Sequence, residues 1–339
     1  MKQLIVYAIS AMCICALGAC GNKENDDNYQ KGVEAYGDGR LKEARAYLMQ
    51  ETQEHPENVL AWSYLIDVYN DLEQYEAALQ AGKKALSTQT DSDREALAYV
   101  YESMTKSYME TGDYGAAQEL IDSALALKPG DIYFLVSKAD CQYYSGDSDG
   151  AIGTMTEAID SASADGNSIL AKLFYRRGFY RDNSRDIDGA MKDYSKSIRL
   201  NPRYAYAYLG RGDMHMLRNE VELAREDYQN ALESDTAIRE SGNCRQYGYQ
   251  GLGLNDCAER HMNKILAQYP TGGNYYDAAC LTSRMGNRER ALYYLKKSFE
   301  AGYVEFCHID NDDDMDAIRD TKEFRELMAR YRRSEINNK

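Results

Sequence analysis

The sequence repeats at a regular interval, and this constrains its fold more than any other feature. Its four prolines are spread almost evenly along the chain, at Pro56, Pro129, Pro202 and Pro270. Alanines recur between and around them, at Ala44, Ala78, Ala117, Ala151, Ala190, Ala224, Ala258 and Ala291. Most neighbours in this series are about 34 residues apart, which is typical of a two-helix unit that buries its apolar side by stacking on its neighbours.

Small residues at matching places predict how the helices of each unit pack. Two helices approach closely only where small side chains meet. At one fixed place before the recurrent alanine, the sequence has Gly32, Ala139, Gly178, Gly212 and Ala279. Stretches such as Gly37-Asp38-Gly39 predict the turns between paired helices. The predicted units lie near residues 25–58, 59–92, 98–131, 132–165, 171–204, 205–238, 239–271 and 272–302.

The second unit, with Trp62, Leu65, Tyr69, Ala78 and Ala85, resembles the tetratricopeptide repeat closely. The resemblance covers nearly the whole chain after the N-terminal segment. It implies an all-α fold, a right-handed superhelical solenoid of about eight helical hairpins at residues 29–302. Residues 303–339 are expected to form a connector and a capping helix that closes the open apolar end of the array.

The N-terminus predicts export and lipid anchoring. Lys2 precedes an apolar stretch that is too short for a comfortable transmembrane helix, so residues 1–19 are interpreted as a signal peptide. Leu17-Gly18-Ala19-Cys20 resembles the lipobox of bacterial lipoproteins, which implies a lipid on Cys20. Residues 20–28 then form the lipidated N-terminus and a short linker. Gly21 after the cysteine favours an outer-membrane lipoprotein, facing the periplasm or the cell surface.

Charge and cysteine content argue against two classes of protein. The formal net charge of -15 disfavours nucleic acid as a partner. The cysteines beyond Cys20 are odd in number and irregularly spaced, which is unlike a disulfide framework. Burial as small apolar side chains is the prediction for most of them, although one bridge stays open as an alternative: Cys141, Cys244, Cys257, Cys280 and Cys307.

No motif predicts an enzyme, a metal site or a cofactor. The acidic run from Asp310 to Asp316 fails as a calcium loop, because Ala317 stands where the sharp turn needs glycine. Cys257 and His261 have the spacing of two metal ligands on one helix, but no second pair completes a site. We therefore expect a non-enzymatic binding protein without a cofactor.

The first helix of each repeat supplies the candidate binding groove, as the family resemblance implies. The residues predicted there are Asp67, Asp140, Asp213, Tyr99, Tyr133, Tyr143, Tyr175, Phe179, Tyr206 and Tyr247. The three aspartates recur at the same place in every second repeat, which indicates either steering of a cationic partner or simple inheritance from the duplication of a repeat pair. Tyrosine offers large contact area and a hydroxyl group. The groove therefore predicts an envelope protein or peptide with a basic or polar surface, or alternatively a glycan.

Overall fold

The computed structural model describes residues 27–72, 74–88, 94–162, 166–234, 244–303 and 306–337. Within these ranges the regular structure is helical, with no strand. The all-α fold of repeated helical hairpins that the sequence predicts is therefore confirmed. The chain groups into two compact units, one ending at Asp147 and the other beginning at Ser148. This boundary lies in the turn that follows the first helix of the fourth repeat, so the fourth repeat contributes one helix to each unit.

The N-terminal unit contains the helices of repeats one to three and the first helix of repeat four. In chain order they are α1 (Asp27–Gly37), α2 (Leu41–Glu54), α3 (Val59–Asp71), α4 (Tyr75–Ser87), α5 (Arg94–Glu110), α6 (Tyr114–Leu127) and α7 (Ile132–Tyr144). Odd-numbered helices are the first helices of their repeats. Asp113 and Asp131 cap α6 and α7 by accepting hydrogen bonds from backbone N–H groups that the helix itself leaves unpaired.

The C-terminal unit contains the remaining repeat helices, in which the odd-numbered members are again the first helices. They are α8 (Ser148–Ser161), α9 (Asn167–Asn183), α10 (Ile187–Leu200), α11 (Ala205–Leu217), α12 (Val221–Ser234), α13 (Cys244–Gly251), α14 (Asn255–Gln268), α15 (Gly272–Arg284) and α16 (Arg288–Glu300). Repeats one and seven match the repeat pattern least well in the sequence, and α13 of repeat seven has only 8 residues. Gln246, which replaces the small residue there, is 1% exposed.

The C-terminal segment after repeat eight is also helical. It consists of α17 (Phe306–Asn311), a 3-10 turn (Asp313–Met315), α18 (Asp316–Arg319) and α19 (Lys322–Asn337). Ile309, Met315 and Ile318 are fully buried in the same core as residues of α15 and α16. The segment therefore covers the apolar end of the last hairpin, as a cap must, and the predicted capping helix is α19.

Close helix packing follows the predicted pattern of small residues. The eight recurrent alanines are all 0% exposed. A Cβ added to Gly178 or Gly212 would lie 2.8 Å from a ring carbon of Tyr194 or Tyr228 respectively. These tyrosines fill the space between paired helices that the glycines leave, so the large and small positions of a repeat are matched across each hairpin.

Each of several turns between paired helices contains one residue in the left-handed backbone conformation. Gly39, Gly112 and Gly286 have φ between 74° and 76°, a conformation that costs glycine little. In repeats five and six the same place is taken by Arg185 and Asn219, with φ of 63° and 60°. A side chain with a Cβ is strained there, and the Arg185 side chain forms an ion pair with Asp313 at 3.0 Å.

Within the described ranges, no helix combines the length and the apolar character that crossing a bilayer requires. The predicted signal peptide, Cys20 and the linker up to residue 26 lie outside the described residues.

Candidate functional site

The predicted groove residues all lie on first helices and divide equally between the two units. Asp67 is on α3, Tyr99 on α5, and Tyr133, Asp140 and Tyr143 are on α7; Tyr175 and Phe179 are on α9, Tyr206 and Asp213 on α11, and Tyr247 on α13. Their exposure differs greatly. Asp67, Asp140, Tyr143, Tyr175 and Tyr247 retain only 6–8% of their accessible surface, and the other five are half-buried. Half of the predicted groove residues are therefore buried among the helices and offer little surface to a partner.

In the N-terminal unit, a polar cluster joins three successive first helices. Lys106 Nζ lies 3.4 Å from Asp67 Oδ1 and 3.4 Å from Glu102 Oε2. Ser137 Oγ donates to Glu102 Oε1 at 3.1 Å. Burial lowers the pKa of Lys106, but Asp67 and Glu102 outweigh this effect and raise it. Asp67 is therefore already paired with a cation of its own chain, which it shares with Glu102.

Tyr99 also holds a cation of its own chain. Lys128 Nζ donates to the Tyr99 hydroxyl at 2.7 Å and lies 4.5 Å from the centroid of its ring. Asp131 Oδ2 is 3.3 Å from the same ammonium. An ammonium group of the chain itself is thus bound jointly by an aromatic ring and a carboxylate. Tyr133, two residues beyond Asp131, is half-buried on α7.

Aromatic groove residues of the C-terminal unit pack mainly on one another. The Tyr175 ring lies 5.3 Å from that of Tyr204 in an edge-to-face contact and 6.0 Å from that of Tyr206. Phe179 contacts Tyr180 at 6.1 Å. Edge-to-face pairs of this kind stabilise the interface between neighbouring helices. Phe179 and Tyr206 keep part of their surface exposed, so they are the members of this group that a partner could contact.

A second polar cluster surrounds Arg284 in the C-terminal unit. Its guanidinium donates to both carboxylate oxygens of Asp213, at 2.8 and 3.2 Å, and to Asp314 Oδ1 at 3.2 Å. Tyr228 also donates to Asp213, at 2.7 Å. The Tyr247 ring lies 5.5 Å from the guanidinium carbon. Asp213 thus has an internal cation, like Asp67, and a cationic partner would have to compete with it.

Sequence reasoning missed a repeated ion pair that we call the arginine staple. Arg177 on α9 donates through Nε and Nη2 to Asp193 on α10, at 2.9 and 2.7 Å. Arg211 on α11 makes the same fork with Asp227 on α12, at 2.8 and 2.7 Å. The remaining nitrogen Nη1 reaches a hydroxyl on the second helix of the preceding repeat, Thr156 at 3.0 Å for Arg177 and Ser195 at 3.3 Å for Arg211.

Both staples follow the period of the sequence. Arg177 and Arg211 occupy equivalent positions in successive repeats, and so do Asp193 and Asp227. Each aspartate is 3% exposed. A search for charged residues that recur at the repeat period on both helices would have found them. They fasten the two helices of one repeat to each other and to the repeat before.

Among the described side chains, Cys280, Asp312 and Asp314 could hold a metal ion, with donor atoms within 4.8 Å of one another. Their polar atoms have partners in this chain, since Tyr276 donates to Asp312 at 2.6 Å and Arg284 to Asp314. Cys141 and Cys280 are buried thiols, in agreement with the prediction for most cysteines, and Cys257 is half-buried. The side chains of Cys244 and Cys307 lie outside the described residues.

Comparisons with known proteins agree with this architecture. The chain is 24% identical over 245 residues to a TPR repeat-containing protein of Methanocaldococcus jannaschii, covering 70% of this chain and 42% of that protein. It is 22% identical over 203 residues to tetratricopeptide repeat protein 16 of Macaca fascicularis, covering 57% and 23% respectively. The chain therefore spans less than half the length of these curated relatives.

Solved structures show the same fold. BtubC from P. vanneervenii superimposes with a TM-score of 0.51 at 14% identity, covering 62% of this chain and 91% of that one. The APC/C hetero-tetramer Cut9-Hcn1 gives a TM-score of 0.50 at 13% identity, covering 91% and 56%. The tetratricopeptide repeat profile matches residues 29–94, 105–167 and 170–237, which is more than half of the sequence. With its paired helices and matched small residues, the chain belongs to the tetratricopeptide repeat family.

Proposed function

We propose that this protein is a lipid-anchored scaffold that holds a protein partner in the bacterial cell envelope. The observation that carries the proposal is family membership, since tetratricopeptide arrays are typically non-enzymatic scaffolds for protein or peptide partners. The lipobox-like Leu17–Cys20 supports an anchor at the outer membrane, with the repeats facing the periplasm or the cell surface.

The first helices are the proposed binding side. Four aromatic residues are only half-buried there, and rigid aromatic side chains are effective anchors for a partner: Tyr99, Tyr133, Phe179 and Tyr206. Tyr99 binds Lys128 of the chain itself, so a basic partner would have to displace this ammonium there, whereas a polar partner would not. Tyr143, Tyr175 and Tyr247 are more than nine-tenths buried. They offer little ring surface for stacking on a sugar, so the protein partner is favoured over the glycan.

The proposal is tested by site-specific photocrosslinking in the native envelope. A photoreactive phenylalanine replaces Tyr133 or Phe179, and a matched control replaces Tyr293, an exposed tyrosine on the second helix α16. We expect a discrete protein adduct from the first-helix positions that is absent from position 293. Identical adducts from all three positions, or none from Tyr133 and Phe179, would contradict the proposed binding side.

A further inference from the structure

A thiol and two carboxylates from different elements converge beside the last hairpin. Cys280 lies on α15, and Asp312 and Asp314 belong to the turn between α17 and α18. One donor atom of each side chain lies within 4.8 Å of the other two. Cys280 is 2% exposed, whereas the side chains of Asp312 and Asp314 are 16% and 25% exposed. The group is therefore mostly buried, and its carboxylates are accessible to an ion from solvent.

The spacing of these donor atoms fits a zinc ion. Zinc binds sulfur at about 2.3 Å and oxygen at about 2.0–2.2 Å, so a tetrahedral site places a sulfur and an oxygen ligand about 3.5 Å apart. Cys280 Sγ lies 3.6 Å from Asp312 Oδ2. Sulfur also selects the metal, because calcium and magnesium ions take oxygen ligands. With three protein ligands, a water molecule takes the fourth position of the tetrahedron.

The hydrogen bonds of the two carboxylates leave room for this ion. Asp314 accepts from Arg284 through Oδ1, and no described residue donates to its Oδ2. Asp312 Oδ2 accepts from the Tyr276 hydroxyl at 2.6 Å, and a carboxylate oxygen has a second lone pair. Carboxylates that bind metal ions are commonly oriented by hydrogen bonds of this kind. Tyr276 and Arg284 are therefore supports for the two ligands.

The charges around the group are not balanced. Arg284 donates to both oxygens of Asp213 as well as to Asp314, so one guanidinium serves two carboxylates. With Asp312 included, two negative charges are in excess. The His308 ring, whose Nε2 is 3.6 Å from Asp312 Oδ2, offsets only one of them even when it is protonated. Buried charge without compensation is costly, and a divalent cation would supply the compensation.

A hydroxyl close to the group in the sequence of α15 lacks a partner. Ser283 follows Cys280 by three positions, and side chains at this spacing are neighbours on a helix surface. Ser283 is 2% exposed, and its Oγ forms no hydrogen bond with any described residue. Buried hydroxyl groups are normally satisfied by protein or by water. A water bound to the metal on this side of α15 would provide such a partner.

We propose that Cys280, Asp312 and Asp314 bind a zinc ion that ties the capping segment to α15. On binding, the Cys280 thiol releases its proton to solvent and the sulfur forms a bond to zinc, while each ionised carboxylate supplies one oxygen. Apolar packing of Ile309 and Met315 already holds the segment against the last hairpin, and zinc adds a direct link. The site is independent of the proposed scaffold function, because it needs no partner.

Cobalt(II) is the probe, because it occupies zinc sites and its bond to a thiolate gives a charge-transfer band in the near ultraviolet. The intact protein is reduced and freed of metal with a chelator before titration. We expect one cobalt ion per chain with this band, and zinc should displace it. Excess magnesium should not, because it disfavours sulfur. A wild type without the band, or a band that magnesium removes, would overturn the proposal.

Variants assign the ligands. Cys280→Ser should abolish the band. Asp312→Asn and Asp314→Asn should each weaken cobalt binding more than about tenfold, because even a residue that only supports a ligand contributes about 10–100-fold. The matched control is Cys257→Ser, which removes a half-buried thiol on α14 and should retain the band.

Circular dichroism shows whether each variant folds, and the asparagine variants keep the buried thiol if Cys280→Ser does not. A band that persists in Cys280→Ser, or cobalt binding that is unchanged in both asparagine variants, would exclude this site.

Hydrogen exchange of the intact chain measures the link itself. A ligand that binds only the closed state lowers the frequency of opening in proportion to its excess over its Kd. Free zinc at about 100 times its Kd should therefore slow the opening of residues 306–320 about a hundredfold. Residues 41–54 of α2, in the other unit, are the control and should not change. No protection of residues 306–320, or equal protection of both segments, would overturn the proposed link.

Discussion

The arginine staple makes a strong prediction about stability. Replacing Asp227 with alanine removes both acceptors of the Arg211 fork, which are bonded at 2.7 and 2.8 Å. Removing one partner of a buried ion pair costs about 3–5 kcal/mol, because the other charge is left without compensation. The side chain of Arg211 is 24% exposed and can recover some hydration. We therefore expect a loss of about 2–3 kcal/mol in the free energy of unfolding.

Urea unfolding followed by circular dichroism measures this loss, and hydrogen exchange of residues 205–234 localises it, since repeat arrays can unfold in parts. Asp188→Ala is the control, because Asp188 forms an exposed pair with Arg218 and should cost less than about 0.5 kcal/mol. The double variant Arg211→Met with Asp227→Ala removes the orphaned charge and should recover part of the loss. A loss below about 0.5 kcal/mol for Asp227→Ala, or a double variant less stable than the single one, would refute this account.

Three further predictions test packing, reactivity and anchoring. Gly212→Ala should lower the free energy of unfolding by about 1–3 kcal/mol, because its new Cβ would lie 2.8 Å from a tyrosine ring carbon; Gly153→Ala, with nothing within 4 Å, should not lower it. Half-buried Cys257 should be alkylated faster by iodoacetamide than buried Cys280, whose pKa burial and nearby carboxylates raise, and equal rates would contradict this. Cys20→Ala should release the protein from the membrane fraction, and its retention after a salt wash would exclude the proposed anchor.

The sequence predicts the helices and their packing because these depend on residues within one repeat. Ala190 and Gly178 recur at the repeat period, and their side chains meet in the hairpin where the period places them. The predicted groove residues are on first helices for the same reason. Their partners could not be predicted, because Lys106 for Asp67 and Arg284 for Asp213 come from other repeats, 39 and 71 positions away. Which residues meet at such separations depends on the rotation between repeats.

The packing of the acidic run from Asp310 to Asp316 could not be predicted from the sequence for a similar reason. The run from Asp310 to Asp316 favours a solvated connector when each residue is considered alone. Met315 within it is fully buried, as are Ile309 and Ile318 on either side, and their packing holds the acidic residues between them close to α15. The sequence does not predict the strained turn at Arg185 either. Its side chain pairs with Asp313, which is 128 positions away in the sequence.

The geometry of the arginine staples bears on how such an array changes during evolution. Each arginine uses an aspartate of its own repeat and a hydroxyl of the repeat immediately before it. A duplication or deletion of the complete fifth repeat would therefore bring an arginine next to Ser195 or Thr156, and the new junction would keep its hydroxyl contact. A partial deletion would separate an arginine from its aspartate and leave a buried charge uncompensated, so changes in length are tolerated here in whole repeats.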